Sequence, residues 1–307
     1  MKIAAFNARR FGVKKCSDPK VSAVITKIVA RYDIIVILEV FDAKEKAAKK
    51  LVEQLNSCSD RARYNYILST PLGRKEYKEQ YLFVYREEQV KVKGTYQYED
   101  MQHGDEDSFA REPFIVRFEA KQAAVKDFVL IPIHTTPKDS VQEIDELHDV
   151  YEHVKEKWGT ENIILLGDFN ADGSYVSNKK MKTIRLRTDP DLHWLIDDDT
   201  DTTAINTTDF SYDRIVVHSS ILKHIVPNSA KPFNFQEEYK LSYEEVGINL
   251  CNKQISYRVI YYAQCRTGPP GYQENCRWAQ VSVGPPAAKL LAYFMVIPYF
   301  YEKEVTK

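Results

Sequence analysis

Apolar residues fall in short runs along the 307-residue chain, and only some of those runs are separated by stretches of helical period. Ile3 to Phe6 is the first run. Ser17-Asp18-Pro19 then offers an N-cap followed by a helix-initiating proline, and Val21, Val24, Ile25, Ile28 and Val29 share one face of the helix this predicts. Ile34 to Leu38 reads as a buried strand ending at Glu39. Residues 43–57 return to helical period, with Ala47, Ala48, Leu51, Val52 and Leu55 inward and lysines outward. Tyr64 to Ser69, Tyr81 to Tyr85, Val90 to Tyr98, Phe114 to Phe118 and Phe128 to His134 follow as strands without intervening helices, which implies antiparallel hairpins in a mixed sheet or a sandwich. An amphipathic helix over 140–158, a buried strand from Asn162 to Leu166 and a strand from Asp213 to Val217 complete the legible part. No repeat or linker-like break interrupts residues 1–249, so a single α/β domain is expected there, with 250–307 as a divergent C-terminal segment.

The totals narrow the choices only a little. Hydrophobic residues make up 44% and charged residues 28%, enough apolar material for a real core. A net charge of −1 provides no whole-molecule basic field, so any grip on nucleic acid must come from local patches. Of five cysteines, Cys16 and Cys58 are isolated and Cys251, Cys265 and Cys276 crowd the last quarter; none has zinc-ligand spacing. The sequence from Met1 shows no signal-like apolar region, and the stretch from Leu290 to Phe300 is shorter than the ~20 residues a membrane span needs. These features lead us to expect an intracellular monomer in cytoplasm or nucleus, with no membrane association and no disulfide.

Polar residues gather where the buried runs end. Asn7 follows Ile3 to Phe6, Glu39 follows Ile34 to Leu38, His134 follows Ile131-Pro132-Ile133, and Asp168 and Asn170 follow Ile163 to Leu166. Strand ends along one rim are where open α/β folds place ligands, and carboxylates with amide oxygens suit a hard divalent ion. Period-2 geometry through Asp168-Phe169-Asn170 places both polar side chains on one side and Phe169 in the core. Singly, Asn7 or Asp168 reads as a turn or cap residue, Glu39 as a solvated end and His134 as a core histidine. Five such residues at strand ends argue for a site.

The segments Ala5-Phe6-Asn7-Ala8-Arg9, Ile37-Leu38-Glu39-Val40, Gly73 to Tyr81, Ser108-Phe109-Ala110-Arg111-Glu112-Pro113, Ile133-His134-Thr135-Thr136-Pro137, Gly167-Asp168-Phe169-Asn170-Ala171-Asp172 and Ser211-Tyr212-Asp213-Arg214 resemble the deoxyribonuclease I family in order and spacing. The resemblance runs from residue 1 to about 249 and is nearest the deoxyribonuclease-1-like-4 subgroup. It implies a four-layer α/β/β/α sandwich of two mixed β-sheets flanked by helices. It also implies endonucleolytic hydrolysis of double-stranded DNA to 5′-phosphate ends, with Mg²⁺ (or Mn²⁺) and structural Ca²⁺. In that reading Asn7, Glu39 and Asp168 hold the catalytic metal, and Glu79 orients His134 as general acid. Asp213 belongs to a second catalytic pair. Arg9, Tyr77, Arg111 and Asn170 meet DNA or its phosphates. Asp201 with Thr203, and Asp107 with the Phe109 carbonyl, correspond to the family's calcium loops.

The sequence also departs from that family. The family's structural disulfide would join positions 173 and 210, which here hold Gly173 and Phe210; Phe41 stands where an arginine is frequent. After Leu241 to Glu245 the family continues into Ser-Asp-His-Tyr/Phe-Pro-Val-Glu, a final strand with a second Asp-His pair. This chain reads Gly247-Ile248-Asn249-Leu250-Cys251-Asn252-Lys253 and has no histidine after His224. Asp213 is thereby expected to lack its partner. A terminal sheet position is expected to stay partly unpaired unless Ser256 to Tyr262 or Leu290 to Ile297 fills it. The leading reading is a deoxyribonuclease impaired by that loss. Its rivals are a phosphatase or abasic-site endonuclease of the same superfamily, and a weakened member that only binds DNA or a protein.

Overall fold

The computed structural model describes residues 1–59, 62–100, 108–203, 208–242 and, as backbone, 260–264. All of them belong to one compact unit, Met1–Tyr272. The first sheet contains β1 (Lys2–Gly12), β2 (Ile34–Phe41), β3 (Tyr64–Leu68), β4 (Gln80–Arg86), β11 (Lys231–Phe233) and β12 (Ile260–Gln264), in the order β11-β12-β1-β2-β4-β3. The second contains β5 (Val90–Gln97), β6 (Phe114–Ala120), β7 (Asp127–His134), β8 (Ile163–Asp168), β9 (Leu192–Trp194) and β10 (Asp213–His218), in the order β5-β6-β7-β8-β10-β9. Each sheet has one parallel pair. β1 and β2 are joined through α1 (Val13–Ser17) and α2 (Pro19–Val29), and β7 and β8 through α4 (Ser140–Trp158). A parallel pair needs such a crossover, whereas the other neighbours are antiparallel.

Period-2 alternation builds the layers. Ile3, Ala5, Val36, Leu38 and Phe83 from one sheet meet Val116, Phe118, Leu130, Leu166 and Ile215 from the other in the central core. Their alternate neighbours Ala4, Phe6, Ile35, Ile37 and Val84 pack outward against α2 and α3 (Lys46–Ser57). Val129, Ile131, Ile163, Leu165 and Val216 likewise pack against α4, with α5 (Asn178–Met181) and α6 (Arg185–Thr188) at its side. Being covered on both faces, the central strands read as unbroken apolar runs, and the expected four-layer sandwich is what forms. At the start of α2, Asp18 Oδ1 accepts from Lys20 N and Val21 N while Pro19 opens the helix, as the cap signal predicted.

Short helices α7 (Ser219–Leu222) and α8 (Phe235–Glu238) follow β10 and β11. β12 lies in the segment after residue 249 and runs antiparallel to both β1 and β11, with Tyr261 opposite Ala5. It occupies the place beside β1 that was expected to stay unpaired unless Ser256 to Tyr262 or Leu290 to Ile297 filled it, and it overlaps the first of these two segments. Among the described residues no helix is long and apolar enough to cross a membrane.

Candidate active site

The two parallel pairs end on the same rim, and there the sheets meet. Cα pairing sets His134 beside Asp168 and Asp168 beside Asp213 across β7, β8 and β10. The close approach of β7 and β8 depends on Gly167, whose φ is +140°; a Cβ there would lie 2.1 Å from the Ile133 carbonyl oxygen. From the facing sheet, Asn7 donates through Nδ2 to Glu39 Oε1 at 2.9 Å and to Asp168 Oδ2 at 3.0 Å. The pairing register shifts after Asn7 in β1 and after Ile37 in β2. Arg9, Arg10 and Glu39 take φ values of 39°, 53° and 55°, a left-handed backbone that is costly for these residue types. The bulged segments turn Glu39 and the two arginines onto the rim.

Glu39 and Asp168 share one neutral amide, and Asp168 is fully buried. Two carboxylates drawn to one point suit a hard divalent cation as counter-charge. Asn7 Oδ1 accepts from Arg9 N at 2.9 Å, so its nitrogen rather than its oxygen faces the carboxylates; a flip of the amide exchanges the two.

Beside this cluster, His134 Nδ1 lies 2.7 Å from Glu79 Oε2 and Nε2 lies 3.4 Å from Asp168 Oδ2. Glu79 also accepts from Arg111 Nη1 at 3.4 Å and from the Tyr77 hydroxyl. Burial works against the Glu79 charge, yet His134 and Arg111 outweigh it and hold the carboxyl below its ordinary range. Arg111 further grips the His134 carbonyl through Nε at 3.0 Å and Nη2 at 2.6 Å. Its fork braces the Glu79–His134 pair from below, and its side chain is only 11% exposed. Tyr81, to which no role was assigned from the sequence, accepts from His134 N and donates to the Arg111 carbonyl.

The strand reading of Asp168-Phe169-Asn170 needs correction beyond its first residue. β8 ends at Asp168, and Asn170 is left-handed (φ 46°) because its N–H turns back to Asp168 Oδ1 at 3.2 Å. Phe169 does enter the core, but Asn170 is fully buried and its amide donates to the Thr135 carbonyl at 2.9 Å. Asp213 is also buried, 3.2 Å from the Thr202 hydroxyl, which the sequence reading missed. Burial lifts the Asp213 carboxyl well above its ordinary range, against the pull of Thr202 and Arg214.

Tyr77 is 48% exposed and packs edge-on against Phe41, ring centres 5.0 Å apart. Arg10, also missed, lies over both rings, its guanidinium carbon 5.6 Å from the Phe41 centre and 6.0 Å from that of Tyr77. A cation therefore reaches the position where Phe41 itself carries none. Away from the rim, Asp201 Oδ1 accepts from Thr203 N at 2.8 Å and from its hydroxyl at 2.7 Å. Phe109 is buried, with its N–H directed at Asp100; Asp107 lies outside the described residues. Gly173 (φ +62°) and Phe210 do face one another, the phenylalanine edge lying 2.8 Å from where a Gly173 Cβ would be. Aromatic packing fills the place of a bridge.

Comparison with known proteins identifies the family. The model of the Endonuclease/Exonuclease/phosphatase family matches residues 4–229. Deoxyribonuclease gamma of Homo sapiens is 51% identical over 247 residues, covering 80% of this chain and 81% of that protein. Deoxyribonuclease-1 of Oryctolagus cuniculus is 48% identical over 244 residues, covering 79% and 86%. Among solved structures, the human Nocturnin catalytic domain superposes with a TM-score of 0.57 at 12% identity, covering 87% of this chain and 94% of that one. An endonuclease/exonuclease/phosphatase from Bacteroides vulgatus gives 0.55 at 14%, covering 86% and 98%. These two show the fold. The family model and the sequence relatives establish that the chain belongs to the endonuclease/exonuclease/phosphatase family, in its deoxyribonuclease branch.

Proposed function

We propose that this deoxyribonuclease hydrolyses double-stranded DNA endonucleolytically with Mg²⁺ or Mn²⁺, leaving 5′-phosphate and 3′-hydroxyl ends, and does so slowly. The observation that carries the reading is the contiguous rim of Asn7, Glu39, Asp168, His134 and Glu79, linked by contacts of 2.7 to 3.4 Å. Asn7, Glu39 and Asp168 would hold the ion, which supplies positive charge against that building on the phosphate. His134, its Nδ1 fixed by Glu79, presents Nε2 to give a proton to the leaving 3′ oxygen as the P–O bond breaks. Arg111 and Tyr81 keep that imidazole in place. Arg9, Tyr77 and Arg10 form the exposed edge that meets the duplex, a shape and backbone contact rather than a base code. Asn170 and Arg111 are assigned to a phosphate oxygen, and to reach it the buried Asn170 amide has to leave the Thr135 carbonyl. We assign Ca²⁺ binding to Asp201 with Thr203 and to Asp107 with the Phe109 carbonyl, and place the protein as a monomer in a reducing compartment.

Slowness follows from Asp213. Water attacking phosphorus must lose a proton, and Asp213 is buried, accepts from the Thr202 hydroxyl and, among the described residues, has no histidine hydrogen-bonded to it. A member that binds DNA without cutting it is the second reading, favoured by this one feature. Cleavage and binding of a labelled duplex, measured on the same purified sample with its Glu39→Gln variant, test both. We expect binding, slow cleavage that needs added Mg²⁺, and no cleavage by the variant with its melting temperature nearly unchanged. Full cleavage by Glu39→Gln would remove the metal assignment; binding alone would leave the second reading.

A further inference from the structure

On the far side of the second sheet, α4 and the turn after α6 bring together three groups of metal-ligand type. His148 and Glu152 stand four residues apart on one face of α4, and Asp189 is the C-cap of α6. His148 Nε2 lies 2.9 Å from Asp189 Oδ2, and one donor atom from each residue falls within 4.8 Å of the other two. Asp189 is held from behind, its Oδ1 accepting from Asp191 N at 2.8 Å.

We propose that His148, Glu152 and Asp189 bind a borderline divalent ion of the Zn²⁺ class, with a further position open to water. One imidazole nitrogen and two carboxylates suit such an ion, whereas Mg²⁺ and Ca²⁺ prefer oxygen donors alone. Lys155, whose ammonium lies 3.4 Å from Glu152 Oε1, is the resident cation the metal displaces. Its long, partly exposed chain allows it to move into solvent. The bound ion joins the middle of α4 to the α6–β9 turn by coordination where the metal-free protein has one imidazole–carboxylate contact.

Calorimetric titration of Zn²⁺ into the full chain tests this, with excess Mg²⁺ present to fill the acidic cluster at the rim. His148→Ala and Glu152→Gln are titrated alongside. The parent should take up Zn²⁺ at a site that Mg²⁺ does not block, and Co²⁺ in its place should give a low-symmetry visible absorption. Outer partners of a metal site alone contribute about 10–100-fold in affinity, so loss of the His148 ligand should weaken Zn²⁺ by at least tenfold. Glu152 is exposed, so Glu152→Gln should fold normally and still bind Zn²⁺ more weakly than the parent. Parent-like affinity in both variants would put the ion elsewhere and overturn the proposal. Failure of the parent to bind Zn²⁺ would overturn it too, leaving His148–Asp189 as an ion pair.

Discussion

Glu79 takes three donors at once, from His134, Arg111 and Tyr77, while His134 is gripped at its ring and at its carbonyl. Neither residue performs its role without the other. Glu79→Gln leaves the imidazole with a weaker orienting partner, and His134→Ala removes the proposed proton donor altogether. Each should lower the cleavage rate by roughly 10²–10⁴-fold, and the double variant should cost little more than the worse single one. Losses that add in log rate would show two independent contributions. The pair was legible because its residues sit in motifs with fixed spacing. Glu143 was not, because only packing reveals what lies beneath the Thr135–Thr136 turn. Its Oε1 accepts from Thr136 N at 3.0 Å, and its buried Oε2 has no hydrogen-bond partner. Burial raises this carboxyl from 4.5 to about 7, although Thr136, Arg111 and His134 favour its charge. A carboxyl whose folded pKa is raised holds its proton longer when folded, so its contribution to stability is complete below about 4.5 and falls away as pH rises toward about 7. Glu143→Gln removes that slope. Its melting temperature relative to the parent should climb through this window, by an amount corresponding to on the order of 3 kcal/mol. A constant offset between the two profiles would show that Glu143 does not titrate there.

Elements were readable where period and packing agree. The alternation of Ile34 to Leu38 and of Ile163 to Leu166 assigns one set of side chains to each face, and both sets are buried as expected. What the period could not give is where it breaks. The positive φ of Arg9, Arg10, Glu39 and Asn170 is imposed by neighbouring strands and by hydrogen bonds that form only in the folded sandwich. No local residue preference announces it at Arg9, Arg10 or Glu39, whereas Asn170 is of a type that tolerates the left-handed region. The loop at Gly173 shows the converse, a glycine whose need is visible only against Phe210. Gly173→Ala adds a Cβ at φ +62° and 2.8 Å from the Phe210 ring, so it should destabilise by about 1–3 kcal/mol in thermal unfolding. Adding Phe210→Ala removes the clash but leaves the backbone cost. If the double variant is no more stable than Phe210→Ala combined additively with Gly173→Ala, the ring contact contributes nothing to the penalty.

At the scale of the whole molecule, the first sheet is completed by a strand that the family resemblance did not cover. β12 pairs with β1 through Ile3, Ala4 and Ala5, which sets it next to the strand that carries Asn7. Its sequence, Ile260-Tyr261-Tyr262-Ala263-Gln264, can satisfy the backbone of β1 but supplies neither an acid nor an imidazole. Folding and the proposed catalysis therefore make separate demands on this edge: the ladder needs only N–H and C=O groups, whereas the role proposed for Asp213 needs a particular side chain to work with. A missing general base typically costs ~10²–10⁴-fold in rate. Replacing the segment after Asn249 with the family's Ser-Asp-His-Tyr-Pro-Val-Glu strand should keep the sheet paired and raise duplex cleavage by a factor in that range. The same graft carrying alanine for its histidine should fold equally well and stay at the parent rate, which separates chemistry from improved pairing. Should the unmodified chain already match the graft, the second histidine is dispensable here and Asp213, or a group outside the described residues, handles the proton of the attacking water.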